Sequence, residues 1–464
     1  MMFLSGVRGG IRGWRGAASS RSSPRGDWAS RVTTLLMCTL IVFMIVPEDF
    51  NYADINSLPE SGDALSRLVW LALLCGSAAV VLRFAVPALR VLRHFNAFFL
   101  AFLLLACASV AWSVEPEFTA RRVIRLVTIS LTALAFVLTR HRRIQDVLRP
   151  MVTVMLVGSI ALVLLAPQWG IERSSAAELI GAWRGLATQK NGLGSLAAIG
   201  TLLWMHAWLA REARWQVVAA GLAVSLLCLF CSRSSSALLA TAFTAPFMAA
   251  LARPPGVLRR YMPYLVGVFA VGLLVYSLAV LRVVPGSETL LYPLESLTGK
   301  DPTFSGRTAI WDIVSEHIHY SPILGGGYGA YWTGPVPGTP SYEQVTRLFF
   351  YPTEAHNGYL DIINDLGSVG GACLFGYLLT YLRQSLTILA AARAQGALYL
   401  GLFFEQLIAN LTESRWLNVL CIEFVIMTLA TAAMARTLLE IHLQRQSKRY
   451  EHRSSLVRGR ASSG

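Results

Sequence analysis

Apolar runs of about 16–22 residues recur along the chain, each closed by arginine, proline, glycine or an acidic cluster. Twelve of them stand out, at 32–47, 68–82, 95–113, 123–139, 151–167, 192–210, 215–231, 236–252, 262–280, 358–381, 395–412 and 416–435. A helix needs roughly 20 apolar residues to cross a bilayer, so the pattern predicts an all-α, polytopic membrane protein of about 12 transmembrane helices. The one long interruption, 281–357, is not low-complexity: it holds a helical stretch (GRTAIWDIVSEHIHY), a glycine turn (GGGYGAYW) and many aromatics. The expected division is therefore a basic, disordered tail (1–31), helices one to nine (32–280), a large loop (281–357), helices ten to twelve (358–435) and a second basic tail (436–464). Connections of such length inside a compact domain are functional or disordered.

Composition agrees with the pattern: 55% of the 464 residues are hydrophobic and only 14% are charged. The formal charge of +14 invites a nucleic-acid reading, but its placement argues against one. With a cytoplasmic N-terminus, inside segments hold 27 of the 40 Lys and Arg residues, and acids gather outside in PEDFNYADINSLPESGD and SVEPEF. That asymmetry sets membrane topology. The tail QRQSKRYEHRSSLVRGR then faces anionic lipid. Arg121, Arg122 and Arg125 are a local exception at the outer end of the fourth helix. The first run ends at Val46-Pro47-Glu48 without a small-residue cleavage site and reads as a retained helix. Seven cysteines inside apolar runs predict no disulfide framework, and the Cys228/Cys231 pair reads as packing.

Four polar clusters fall on the outer side: RGLATQKNGLG with Arg184, Lys190 and Asn191; CSRSSS with Arg233; SGRTAIW with Arg307; and EAHNGYLDIINDLGSVGG with His356 and Asn357. An arginine at the centre of a membrane helix costs about 2.5–3.5 kcal/mol on insertion scales, so one near the boundary turns toward a cavity or ligand. Singly, each residue has a plainer reading. The arginines and the lysine are solvated or lipid-anchoring charges, Arg233 snorkels, and Asn191 and Asn357 cap helices. His317 and His319 read as structural. On a continuous helix His356, Leu360, Ile363, Gly367 and Gly371 share one stripe, with the glycines admitting a neighbouring helix. A near-neutral imidazole at its rim accepts a proton from a hydroxyl.

Several guanidinium groups and one histidine outside a bundle suit a lipid-linked pyrophosphate, because arginine's fork grips phosphate oxygens bidentately. The chain has no Asp-x-Asp and no His/Asp/Glu set at metal-ligand spacing, which points to arginines in place of a metal. No cofactor is expected.

These motifs resemble the O-antigen ligase and O-antigen polymerase superfamily. Its His-[Asn/Ser/Gln], nine residues, Gly pattern is met by His356, Asn357 and Gly367. Arg307 matches its arginine in the large loop, and Arg233 the one in a short outer Ser-Arg turn. The Lys-Asn-x-Leu-Gly form at Lys190 is most similar to exopolysaccharide polymerases. The resemblance implies an inverting, metal-independent glycosyltransferase in the bacterial inner membrane that works on its periplasmic face. Such an enzyme moves a glycan from undecaprenyl pyrophosphate to a sugar hydroxyl. It also implies roles: Arg233 and Arg307 hold the pyrophosphate, His356 activates or orients the acceptor, Asn357 positions either, and Arg184 and Lys190 guide a phosphate or the incoming chain, with Asn191 beside them as a substrate-binding candidate. Its expected partners are the lipid-linked glycan, the sugar acceptor, membrane lipid and a candidate chain-length-regulating protein, with no nucleic acid. Polymerase is favoured over a ligase that hands a finished glycan to lipid A-core or another acceptor. Two rivals remain: an enzyme using Glu48 and Asp49 in the first outer loop, and a polysaccharide or small-solute transporter. Helix centres almost free of charge speak against the transporter.

Overall fold

The computed structural model describes residues 24–47, 64–139, 143–172, 180–253, 256, 260–280 and 307–461. Glu48 and Asp49, the residues 281–306 of the large loop and the first 23 residues lie outside the described set. A helix occupies each of the twelve expected positions. With three further helices, the order along the chain is α1 (Pro24–Ile45), α2 (Ala64–Arg83), α3 (Ala85–Leu92), α4 (Ala97–Ala108), α5 (Pro116–Thr139), α6 (Gln145–Leu165), α7 (Lys190–Leu209), α8 (Trp215–Cys231), α9 (Ser235–Ala252), α10 (Met262–Val280), α11 (Arg307–Tyr320), α12 (Tyr342–Leu348), α13 (Gly358–Ala391), α14 (Arg393–Ala409) and α15 (Ile422–Ala461), the three being α3, α11 and α12. Among the described residues there is no strand, only an isolated antiparallel bridge between Ile171 and Trp183. Helices are what a bilayer demands, since each satisfies its own backbone where no water can.

Among the described residues, eight helices are long and apolar enough to cross a membrane, nine if α3 and α4, bent by 109°, form one span. The figure of twelve therefore stays an expectation. Asn96 makes that bend: its Oδ1 accepts from the N–H groups of Phe98 and Phe99, capping α4, and its Nδ2 donates to Tyr377 O on α13. Burial separates the layers. The apolar windows of α7 and α15 are 83% and 89% buried, whereas those of α1, α2, α6 and α9 are 28–39% buried. So α7, α14 and α15 form the centre, and the outer helices show the bilayer a wide apolar face.

Two boundaries move. The N-terminal tail becomes helical at Pro24, and α15 runs on through the basic C-terminal segment to Ala461. All seven cysteines are free thiols, with Cys228 buried against Leu156 O.

Over one end of the bundle lies a cap made of α11, α12 and the glycine turn. Ile310, Trp311, Val314, Tyr331, Trp332 and Ala355 form its own small core. Trp311 Nε1 donates to Ala355 O (2.9 Å) and Trp332 Nε1 to Asp361 Oδ1 (2.8 Å), which fastens the cap to the start of α13. Arg122, from the exceptional cluster on α5, donates to Trp332 O and packs beneath Gly329, so it pins the glycine turn. Arg125 lies over the Trp70 ring. His317 Nδ1–H donates to Asn364 Oδ1 (2.7 Å) and its ring lies tilted against Tyr331, a structural role as expected.

Candidate functional site

The His356 stripe does not form. Asn357 is the N-cap of α13: its Oδ1 accepts from the N–H groups of Tyr359 and Leu360, and the helix begins at Gly358. His356 precedes the helix with φ +52°, a left-handed conformation that non-glycine residues adopt at a cost. Farther along, α13 breaks at Leu366 and Gly367. Gly367 has φ +62°, and a Cβ there would sit 2.2 Å from the backbone of Ile323. The glycine therefore admits the cap's 321–325 turn rather than a neighbouring helix. Gly371 faces only its own helix, against Ile363. A shared stripe needs an unbroken helix, and the cap's approach breaks this one at Gly367.

What gathers the predicted residues is a carboxylate that the motifs did not reveal. Glu413 lies in the 410–421 connection between α14 and α15 and is almost fully buried. Its Oε1 accepts from Asn191 Nδ2 (2.7 Å) at the start of α7 and lies 3.6 Å from Arg307 Nη2 at the start of α11. Its Oε2 lies 3.2 Å from Arg415 Nη2 and 3.8 Å from His356 Nδ1. Arg307 also donates through Nη1 to Thr412 O. Three distant segments thus meet at one side chain of a fourth. A signal was available: Glu413-Ser414-Arg415 is a charged turn between two apolar runs, where ionisable residues are functional by default.

Around this hub the charges alternate. His356 Nδ1 is 3.1 Å from Glu354 Oε1, without hydrogen-bond alignment, so the attraction is ionic. Burial works against a charged ring, but the carboxylates of Glu354 and Glu413 outweigh it and raise His356 to about 9. At neutral pH the group is an imidazolium, not the near-neutral imidazole expected. Glu354 is the reciprocal case: burial opposes its charge, yet His356 and Arg415 hold it down at about 2. Arg415 reaches 3.6 Å from Glu423 Oε1, and neighbouring carboxylates push its pKa further up against the effect of burial. Glu405 and Glu423, both buried, extend this polar core under the site at the end turns of α14 and α15. The helix ends beneath the rim therefore carry buried ionisable side chains.

Arg184, Lys190 and Arg233 form an adjoining group. Arg184 is buried and its Nε donates to Trp169 O (2.7 Å). The Lys190 N–H donates to Glu172 Oε1 (2.9 Å), an acid at the positive end of α7. Arg233, at φ +50°, donates from Nη1 to Ile180 O (2.9 Å) and remains exposed. Ser234 packs on Gly194, one turn beyond Asn191, so the Arg233 turn borders the α7 N-terminus. Arg233 is thus on the same end of the bundle as His356 and Arg307, but holds the neighbouring loop rather than the Glu413 hub.

Glu354, His356 and Glu413 each present one ligand atom, all within 4.8 Å of one another, a set that can hold a metal ion. The sequence spacing hid it, because Glu413 is remote. Arg307 and Arg415 already lie on Glu413, so an entering cation would meet two guanidinium groups.

Fold and site define a polytopic all-α membrane protein with a cation-rich rim site under a folded cap. Residues 220–375 match the sequence profile of the family described as O-antigen ligase. The matched region contains Arg233, Arg307, His356 and Gly367. The chain is also 26% identical over 290 residues to the exopolysaccharide production protein ExoQ of Rhizobium meliloti (strain 1021). That alignment covers 60% of this chain and 63% of the relative. The resemblance read from the motifs, including its exopolysaccharide flavour, is borne out.

Proposed function

We propose that the protein is a glycosyltransferase of the inner membrane that polymerises undecaprenyl-pyrophosphate-linked oligosaccharide repeats on the periplasmic side. The observation that carries this reading is the convergence of Asn191, Arg307 and His356 on Glu413 at one end of the bundle. Arg307, with the imidazolium of His356, meets the pyrophosphate and stabilises the charge that grows on it as the glycosidic C–O bond breaks. The electron pair leaves with the diphosphate. The acceptor hydroxyl attacks from the opposite face, so configuration inverts, and its proton passes to water. Arg233, Arg184 and Lys190 steer the diphosphate and the growing chain. Asn357 acts through the backbone, capping α13 and so fixing the strained His356. In this reaction the cations do the work a metal does in Asp-x-Asp enzymes.

The relative's name, which refers to exopolysaccharide production, supports the polymerase reading. The family's description as O-antigen ligase supports the second reading, transfer of a finished glycan to a separate acceptor. Proteoliposomes holding the purified protein and one purified lipid-linked repeat test both. Longer lipid-linked chains, formed without nucleotide or ion gradient, are expected. Transfer only when a non-lipid-linked acceptor is added would favour the ligase, and no transfer to either would reject the enzyme. In cells lacking the protein, a single lipid-linked repeat should accumulate for a polymerase and a long chain for a ligase.

A further inference from the structure

At the opposite end of the bundle a lateral groove of about 800 Å³ opens between α6 and α8, with Trp204 of α7 as its floor. Its size lies within the roughly 300–1,000 Å³ typical of ligand sites. The walls are apolar: Val154 and Val217 are 65% and 49% exposed there. Gly221 makes the depth, since a Cβ would lie 2.1 Å from the Trp204 indole. The indole is fixed in place by its Nε1 hydrogen bond to Thr153 Oγ1 (3.0 Å). At the mouth Arg149 lies over the Trp204 ring and pairs with Glu212 at 2.8 Å. Helical rise alone puts about 24 Å between Arg149 and Leu165, so the groove is distinct from the rim site.

We infer that this groove binds one anionic glycerophospholipid, an acyl chain along α8 and the phosphate at Arg149. The groove faces the hydrocarbon of the bilayer, where water cannot fill an apolar recess. Exposed Trp208 and Trp215 mark the interfacial level on the flanking α7–α8 turn. Charge near the mouth complements an anion: Arg149 lines it with Asp146, Arg143 joins Arg149 on Glu212, and the exposed Arg211 and Arg214 flank Glu212 in the α7–α8 turn. Glu212 is spanned by Arg143 and Arg149 at 2.8 Å each, which leaves their remaining N–H groups to a phosphate diester. The inference does not rest on the proposed transfer reaction.

Native mass spectrometry of the full-length protein, taken from vesicles of equal phosphatidylglycerol and phosphatidylcholine content, tests it. Wild type should retain phosphatidylglycerol about fivefold over phosphatidylcholine, the preference one basic side chain gives at an anionic headgroup. Ala220→Trp, which fills the groove from its wall, should abolish that retention. Arg149→Gln should keep a bound lipid and lose the preference. Equal retention of both lipids by wild type, or an undiminished preference in Ala220→Trp, would overturn the proposal. So would a prenyl phosphate that displaces phosphatidylglycerol at equal concentration. If Arg149→Gln does not fold, the wild-type comparison and Ala220→Trp still decide.

Discussion

Glu413→Gln is the most informative single change, because glutamine keeps the shape and the acceptor for Asn191 while removing the charge. Two effects should separate. The first is on stability. The side chains of Glu413 and Arg415 are 4% and 6% exposed, and removing one partner of a buried pair costs about 3–5 kcal/mol. Arg415 retains Glu423 at 3.6 Å, so the loss should fall near the low end, about 3 kcal/mol. The second effect is on His356. Its rise from 6.5 to about 9 corresponds to roughly 3.5 kcal/mol in favour of the imidazolium, at about 1.4 kcal/mol per pKa unit. The carboxylate at 3.8 Å is the farther of its two partners, so its loss should lower the histidine by roughly one pH unit, the low end for an opposite charge so placed.

The sign follows from linkage. A raised histidine contributes stability that is complete below pH 6.5 and disappears as pH climbs through about 9. Wild type should therefore melt lower above pH 9 than at pH 6, and Glu413→Gln should reach its loss about one pH unit earlier. If the imidazolium is the working form, transfer in proteoliposomes should fall over the same range, with the same displacement in the variant. Wild-type activity that climbs through pH 9 would show that the neutral ring is the working form. An upper limb unmoved by Glu413→Gln would show that this carboxylate does not govern the histidine.

Arg307→Lys should reduce turnover by about a hundredfold, because a point charge cannot span Thr412 O and Glu413 together; wild-type turnover would refute the fork. Arg233→Lys should raise the substrate concentration needed more than it lowers maximal turnover, since Arg233 borders the hub rather than joining it. Transfer should survive EDTA; inactivation rescued by a divalent cation would mean that Glu354, His356 and Glu413 hold a metal. Gly367→Ala should destabilise the fold by at least about 3 kcal/mol, read by thermal melting in detergent, because the strained backbone and the 2.2 Å approach of Ile323 leave no room for a methyl group.

How much of this was legible follows from the range of each interaction. Local signals were readable: every apolar run became a helix, and Asn357 took the cap that its position before Gly358 suggested. Arg307 and His356 were readable as chemistry because each stands out against an apolar or aromatic setting. The hub was not, since Glu413 is 222 residues from Asn191 and acquires its meaning only when α7 and the α14–α15 connection come together. The charge of His356 was hidden for the same reason: an isolated histidine reads as near-neutral, and only the folded chain sets two carboxylates within 4 Å of it.

The error at Gly367 has a different origin. A glycine at helical spacing carries two meanings, close packing by a neighbouring helix and freedom to leave the helix, and periodicity alone favours the first. Here φ +62° shows the second, and the reason sits 44 residues upstream in the cap turn at Ile323. By breaking α13 there, the glycine lets the cap's backbone dock: Ser368 N donates to Pro322 O (2.9 Å) and Gly327 N to Asp365 O (2.9 Å). Those bonds, with Trp332 on Asp361, hold α11 so that Arg307 points at Glu413. The glycine eleven residues after His356 thus serves the rim site at a distance, through the cap rather than through a helix face.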